Sequence, residues 1–170
     1  MPVFGDAGGT GTGFPGSGDR CLVTRYLCSS SGTITSIAGW LGTDSTTGAN
    51  VKLVVLNDGP GGTDPGTFLT STAGIASPSG GGAISGAASG SLIGGNYYWL
   101  GFVADNFQGT YGQNTGVSAT TNMANGTFSY SSPPSWPGTD ANYSVGTYVA
   151  VTYTAGGGGS SPQLMLLGVG

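Results

Sequence analysis

Hydrophobic and polar residues alternate over several short stretches of this 170-residue chain, and a period of two is typical of β-strands with one buried face. The first stretch, residues 20–28, places Leu22, Thr24 and Tyr26 on one face and the residues between them on the other. Similar patterns predict further strands over residues 33–41, 50–56, 67–72, 96–104 and 145–154. Turn-forming sequences such as DGPGGTDPG separate these strands, so the pattern predicts an all-β fold.

Two regions carry little hydrophobic patterning. Residues 1–18 are rich in Gly and predict an irregular N-terminal arm that packs through its Phe rings. Residues 74–95 are nearly all Gly, Ser, Ala and Ile, which predicts an exposed loop with one short strand at 83–85. Gly39 interrupts the alternation of its strand and is a candidate for a β-bulge.

Residues 105–144 form a long stretch rich in Asn, Gly, Thr and Ser. Compact domains seldom contain a structureless loop of this length, so we expect edge strands within it, near 117–121 and 126–131. Seven or so short strands joined by turns favour a jelly-roll β-sandwich. We assign this sandwich domain to residues 19–155.

The C-terminal residues 156–170 combine a linker with an apolar segment. The linker reads GGGGSSP, a flexible composition, and the segment after it reads QLMLLGVG. This segment is either a last edge strand of the same domain or a tethered peptide that docks on a neighbouring subunit. In the second case the subunit contacts come from the apolar tail and the two Phe rings of the arm: Leu164, Met165, Leu166, Leu167, Val169, Phe4 and Phe14.

The amino-acid composition argues against several classes of function. The chain has 36 Gly and 9 Pro, but its aromatic content of 10% argues against disorder. Three Lys and Arg residues are too few for a nucleic-acid surface or a polybasic membrane patch. His and Glu are absent, so the usual general acids and bases are missing and we predict neither a catalytic residue nor a cofactor. The first residues lack a basic and apolar leader, and we expect no secretory signal.

The two cysteines, Cys21 and Cys28, are expected to be free thiols. Seven strand steps of about 3.3 Å place their Cα atoms about 23 Å apart, whereas a disulfide needs less than about 7 Å. Their odd spacing also directs the two side chains to opposite faces of the strand.

One group of oxygen-bearing side chains is a candidate calcium site: Asn57, Asp58 and Asp64, in a Gly-rich turn. Calcium is bound by several carboxylate, amide and carbonyl oxygens, which a Gly-rich loop can supply. The alternative is that these residues serve only to form turns, because Asn and Asp hydrogen-bond their own backbone there.

Aromatic residues in the strand 96–104 (Tyr97, Tyr98 and Trp99) and outside the main strands are candidates for a glycan contact, and those outside are the better exposed candidates. Trp136 lies in a Pro-bracketed loop, and Tyr111 and Tyr130 lie in the same Asn-rich region. The alternative for each ring is packing in a core or an interface. In the strand 96–104, alternation places Tyr97 and Trp99 on one face, and one of the two faces of that strand must be core.

The order of four sequence segments resembles a family of small jelly-roll proteins encoded in phage and bacterial genomes. The segments are DRCLVTRYLCSSSGTITSIAGWLG, VKLVVLNDGPGGTDPGTFLTST, GGNYYWLGFVADN and TYVAVTYTA, and they lie within residues 3–155. They are similar to the family's basic opening strand, its G-T-(V/I)-T-S-(I/L) strand, its D-x-G-G-x-P-G turn, its G-x-Y-W-L strand and its closing Y-T strand.

The resemblance implies a virion component of the decoration, fibre or tail type, in a fold shared with carbohydrate-binding sandwiches. We therefore expect a non-enzymatic virion protein that contacts capsid or tail proteins and copies of itself, as a trimer. The alternative is a carbohydrate-binding module, stabilised by calcium, that contacts a host surface. Few charges and many Ser and Thr residues suit dense packing of identical subunits, since interface cores are depleted of charge.

Overall fold

The computed structural model describes residues 1–6, 8, 14–17, 21–43, 48–105, 108–114, 121–124, 136, 141–143 and 146–156. The strands in this part of the chain are β1 (Val3–Gly5), β2 (Phe14–Ser17), β3 (Cys21–Leu27), β4 (Gly32–Leu41), β5 (Asn50–Asp58), β6 (Pro65–Ser71), β7 (Ile75–Ala76), β8 (Gly82–Ala87), β9 (Ser91–Leu92), β10 (Tyr97–Asp105), β11 (Gln108–Tyr111), β12 (Gln113–Asn114), β13 (Thr121–Ala124), β14 (Ala141–Tyr143), β15 (Gly146–Thr147) and β16 (Val149–Ala155). The described residues contain no helix, and so none that could span a bilayer. The all-β prediction is confirmed.

The strands form two antiparallel sheets that face each other across a hydrophobic core. The first sheet has the order β1-β16-β4-β11-β2, and β8 and β9 also pair with β4. The second has the order β14-β13-β3-β10-β5-β6, and β7 also pairs with β5. Strands β12 and β15 form a separate two-stranded ladder. Large buried side chains from both sheets meet between them, among them Ile37 and Tyr153 from the first and Leu53 and Phe102 from the second.

The second sheet is buried on its outer face as well. A separate apolar cluster, here called the outer cluster, consists of Cys21, Val23, Val54, Leu56, Trp99 and Val103, with Phe68 and Trp136 packed against it. Alternating residues of β3, β5 and β10 thus serve two cores, which explains why these strands contain nearly continuous apolar runs. The expectation that one face of β10 is core is confirmed, and its other face is buried as well.

The two cysteines are confirmed as free thiols on opposite faces. Cys28 belongs to the core between the sheets and Cys21 to the outer cluster. Burial raises the pKa of the Cys21 thiol well above its usual value, which leaves it in the unreactive protonated form.

The prediction of a β-bulge at Gly39 was wrong. Gly39 pairs in regular register with Val149, and the register of β4 against β16 shifts instead at Thr35, which is skipped between the pairs made by its two neighbours. Gly39 has a packing role: a Cβ atom there would lie 2.8 Å from Leu53 Cδ2 and 2.9 Å from Phe102 Cε1, both on the facing sheet. The absence of a side chain lets the two sheets approach each other.

Two regions predicted to be irregular contain strands. The N-terminal arm supplies β1 and β2, and Phe4 of β1 is only 6% exposed, with its ring centroid 6.0 Å from those of Tyr98 and Tyr153. The loop expected over residues 74–95 contains β7, β8 and β9. These strands pair through backbone hydrogen bonds at the flanks of longer strands, so their Gly- and Ser-rich sequences carry no alternating signal.

The long region 105–144 contributes β11, β12, β13 and β14. Strand β13 begins at Thr121, the last residue of one predicted edge strand, whereas residues 117–120 and 126–131 lie outside the described part of the chain. The tail residues 157–170 also lie outside it.

Candidate functional site

A pocket opens at the end of the second sheet where β5 ends and β10 begins. Its volume is ≈ 330 Å³, and its lining residues come from these two strands and the turn that precedes β10: Asn57, Asp58, Gly95, Asn96, Tyr97 and Tyr98. Asn57 and Tyr98 are direct partners in the β5–β10 ladder, so sheet register brings the two strand ends together. The pocket is open to solvent and combines aromatic rings, amides and a carboxylate.

Asp58 is the electrostatic centre of this pocket. Its Oδ1 accepts hydrogen bonds from Arg25 Nε at 2.9 Å and from Trp99 Nε1 at 2.8 Å, and its Oδ2 accepts one from Arg25 Nη2 at 2.5 Å. Partial burial by itself raises the pKa of the Asp58 carboxyl, but the hydrogen bonds from Arg25 and Trp99 and the charge of Arg25 outweigh it and lower that pKa. The hydrogen bond to Asp58 likewise raises the pKa of Arg25. Both side chains are therefore held in their charged forms.

Three strands supply this group because their residues share the outer face of the sheet. Trp99 on β10 lies directly between Arg25 on β3 and Leu56 on β5, and Asp58 is two residues beyond Leu56 on the same face. The Arg25 guanidinium also lies over the Tyr97 ring, with Cζ 3.7 Å from the ring centroid. One arginine thus contacts both the carboxylate and the aromatic ring, a combination that its planar guanidinium favours.

The turn formed by residues 93–96 closes one side of the pocket and is fixed at both ends. The Cys28 N–H donates to the Asn96 carbonyl at 2.9 Å, and the Gly95 N–H donates to the Cys28 carbonyl at 2.8 Å. The Tyr98 hydroxyl accepts a hydrogen bond from the Ile93 N–H at 2.9 Å. The backbone that carries Asn96 is therefore positioned before any ligand arrives.

Three apolar side chains at this end of the second sheet are exposed and are here together called the end patch: Leu27, Ile93 and Tyr97, which are 50%, 59% and 40% exposed. Leu27 and Tyr97 are direct cross-strand partners at the ends of β3 and β10. The chain leaves the described structure at the same end of the sandwich, because the N–H of Gly156 donates to the Ser31 carbonyl at 2.9 Å.

The three residues of the calcium hypothesis have protein partners. Asp58 is engaged by Arg25 and Trp99, Asn57 Nδ2 donates to Thr67 Oγ1 at 2.9 Å, and the Asp64 carbonyl accepts the Gly59 N–H at 2.9 Å within the turn. The described residues contain no group of three acidic, His or Cys side chains placed to hold a metal ion. The turn-forming interpretation matches these contacts, and calcium binding stays an untested prediction.

The aromatic and subunit-contact candidates have different placements. Trp136 is half-buried against the outer cluster, and its backbone N–H donates to the Gly66 carbonyl at 3.3 Å. Phe4, expected at a subunit interface, lies in the chain's own core instead. For Phe14 and Tyr111 only the backbone is described, in β2 and β11. The remaining candidates lie outside the described residues: Tyr130, Leu164, Met165, Leu166, Leu167 and Val169.

Sequence reasoning missed the network around Asp58, since Arg25 was assigned only to a strand face, Trp99 was considered only as a core or stacking ring, and Asn96 was assigned to no site. The available signal was the alternation of side chains along each strand: Tyr97 and Trp99 lie on one face of β10, and Arg25 lies on the corresponding face of β3, where it pairs with Trp99. This signal identifies a site only when the strand order and register are known, because neither residue spacing nor composition brings β3, β10 and β5 together.

No protein-family model and no curated protein matches this chain.

Proposed function

We propose that this chain is a non-enzymatic structural protein of a virion, a jelly-roll subunit that decorates a capsid or belongs to a tail and associates with copies of itself. The observation that supports self-association best is the end patch, an exposed apolar surface at the end of the sandwich from which an apolar C-terminal segment departs. Exposed apolar surface of this kind is typical of interaction sites.

The linker has the length needed for a contact between subunits. Leu164 lies eight residues beyond Gly156, a distance of about 25 Å when the chain is extended and about 15 Å on average for a flexible chain. The apolar segment can therefore leave its own sandwich and reach the end patch of a neighbour. A head-to-tail contact of this type closes into a ring when the rotation between subunits permits, and we propose a trimer.

The low charge of the chain supports the same proposal. Only ten of 170 residues are charged by the count of Lys, Arg and Asp, and two of them, Arg25 and Asp58, form an ion pair with each other. A surface of Gly, Ser, Thr and Asn offers little repulsion between identical neighbours, and small side chains allow close backbone approach.

Light scattering tests the assembly directly. The full chain should give a discrete oligomer, and a chain ending at Ala155 should give a monomer. A full-length variant with Leu164, Leu166 and Leu167 changed to Ser keeps the linker and should also be monomeric. On the other partner, Ile93→Ser should give a monomer with the same melting temperature as the chain ending at Ala155. Equal masses for the full and shortened chains would overturn the tail contact, and absence of the protein from particles purified from its source would overturn the virion assignment.

A carbohydrate-binding module is the second candidate function, and the pocket between β5 and β10 favours it. Small-molecule sites are typically concavities of about 300–1,000 Å³ that combine aromatic surface with a few fixed polar groups. This candidate predicts glycan affinity for the chain ending at Ala155 as well as for the full chain.

A further inference from the structure

We infer that the pocket at the ends of β5 and β10 binds a neutral saccharide, with Tyr97 as the stacking platform and Asp58, Asn57 and Asn96 as the hydrogen-bonding groups. The inference rests on the carbohydrate-binding candidate, to which it gives a specific site, and it does not require self-association. Because Tyr97 also belongs to the end patch, a docked tail segment would compete with the saccharide for this ring. It also differs from the glycan contact expected from sequence, which was centred on Trp136.

The platform is an aromatic ring that is accessible and held in place. Tyr97 is 40% exposed, whereas its neighbours along β10, Tyr98 and Trp99, are buried. The Arg25 guanidinium covers one face of the ring, 3.7 Å from its centroid, so a sugar has to stack on the opposite face. This contact restricts rotation of the tyrosine before a ligand binds. The electron-rich ring suits the weakly positive C–H groups of a sugar, as it suits other positive edges.

The polar groups around the ring supply acceptors and a donor for hydroxyl groups. Asn57 uses its Nδ2 group on Thr67, and among the described residues its Oδ1 has no hydrogen-bond partner. The Asn96 side chain is exposed and makes no hydrogen bond within the described structure, so its amide presents both a donor and an acceptor. Asp58 Oδ2 accepts only the Arg25 Nη2 bond there, and a carboxylate oxygen has room for a further donor.

The charge of the pocket selects for a neutral ligand. Arg25 and Asp58 neutralise each other through two parallel hydrogen bonds, and none of the other lining residues is charged at neutral pH. An anion finds no unpaired cation among these residues, and a cation must compete with Arg25 for the carboxylate. A polyhydroxylated neutral molecule matches both the amides and the aromatic surface, and the volume of ≈ 330 Å³ suits one or two sugar rings rather than a long chain.

The test uses the full chain and four defined probes: maltose, cellobiose, lactose and N,N′-diacetylchitobiose. Nuclear magnetic resonance detects the site through the Trp99 indole N–H, which bonds Asp58, and through the backbone N–H groups of Asn96 and Tyr97. The indoles of Trp40 and Trp136 are internal controls because neither residue lines the pocket. At least one probe should shift the pocket resonances, with a dissociation constant of about 1 mM, which corresponds to about 4 kcal/mol.

Matched variants separate the pocket from the neighbouring surface. Tyr97→Ala and Asn96→Ala should each weaken binding about tenfold, a change of about 1.4 kcal/mol. Val3→Ala is the control, because Val3 is 52% exposed, lies in the other sheet and does not line the pocket, so the affinity should stay unchanged. The inference is overturned if no probe shifts these resonances, or if binding survives in both pocket variants. Light scattering on the same samples reports assembly separately, so failure of one proposal does not imply failure of the other.

Discussion

Replacement of Asp58 tests how the end of the second sheet is stabilised. In Asp58→Ala, the Trp99 indole N–H loses its acceptor while Trp99 itself is fully buried. A buried donor without a partner costs about 1–3 kcal/mol. The Arg25–Asp58 pair is about a quarter exposed on each side, and exposed pairs contribute about 0–1 kcal/mol. Together these effects lower the expected free energy of unfolding by about 1–4 kcal/mol.

The matched variant is Asp58→Asn, which removes the charge but keeps an acceptor oxygen for Trp99. We expect it to lose about 1 kcal/mol less than Asp58→Ala, because the buried indole stays paired. Urea unfolding followed by tryptophan fluorescence measures both variants at neutral pH. Equal destabilisation by the two variants would show that the Trp99 hydrogen bond contributes nothing and would refute the reasoning.

The pH dependence of the same pair provides an independent check. Because the pKa of Asp58 is lowered in the folded protein, the unfolded state binds its proton more readily. The stabilisation is therefore complete above the unfolded pKa of about 3.9 and is lost as the pH falls through the folded pKa. The stability difference between the wild type and Asp58→Asn should stay constant from pH 7 to about pH 5 and shrink below about pH 4. A difference that grows on acidification contradicts the assignment.

Two further substitutions test the packing of the sheets. Gly39→Ala should lower stability by about 1–3 kcal/mol through overpacking against Phe102, whereas Gly8→Ala, where a Cβ meets nothing within 4 Å, should have no effect in the same urea titration. Thr24→Val should cost about 1–3 kcal/mol, because the buried Thr147 N–H donates to the Thr24 hydroxyl at 2.9 Å. Thr24→Ser keeps that acceptor and should recover most of the loss; equal effects of Val and Ser would contradict the role of the hydroxyl.

The strands that form the core could be predicted from sequence because the spacing of their apolar residues reflects which side chains are buried. Strands β3, β5 and β10 carry branched and aromatic residues, which favour pleated, buried surfaces. Strands such as β8 and β9 could not be predicted in full. Their Gly, Ser and Ala residues do not alternate between apolar and polar, so the sequence does not show which face is buried, and the strands form through backbone pairing with β4. The role of Gly39 was missed for a related reason: the close approach of the facing sheet is a property of packing and leaves no local pattern.

The pocket could be predicted only in its parts. Asp58 and Asn57 stood out because they begin a turn, and Tyr97 because it belongs to an aromatic run. Their grouping with Arg25 depends on the order β3-β10-β5, a long-range pairing that a single sequence does not specify. The same order explains why the turn residues, considered without Arg25, were candidates for a cation site as well as for turn formation.

A purely structural role accounts poorly for the charge pair at this position. Replacing a partly buried ion pair by apolar side chains is often neutral or stabilising, and the adjoining outer cluster consists of such side chains. The chain has only three basic residues, yet one of them lies here, holding both the Asp58 carboxylate and the exposed ring of Tyr97. Fixed polar groups beside an accessible aromatic surface are what a ligand site requires. Such a site fits at the first residue of β10, because the side chains that follow Tyr97 along the strand are buried in the core between the sheets or in the outer cluster.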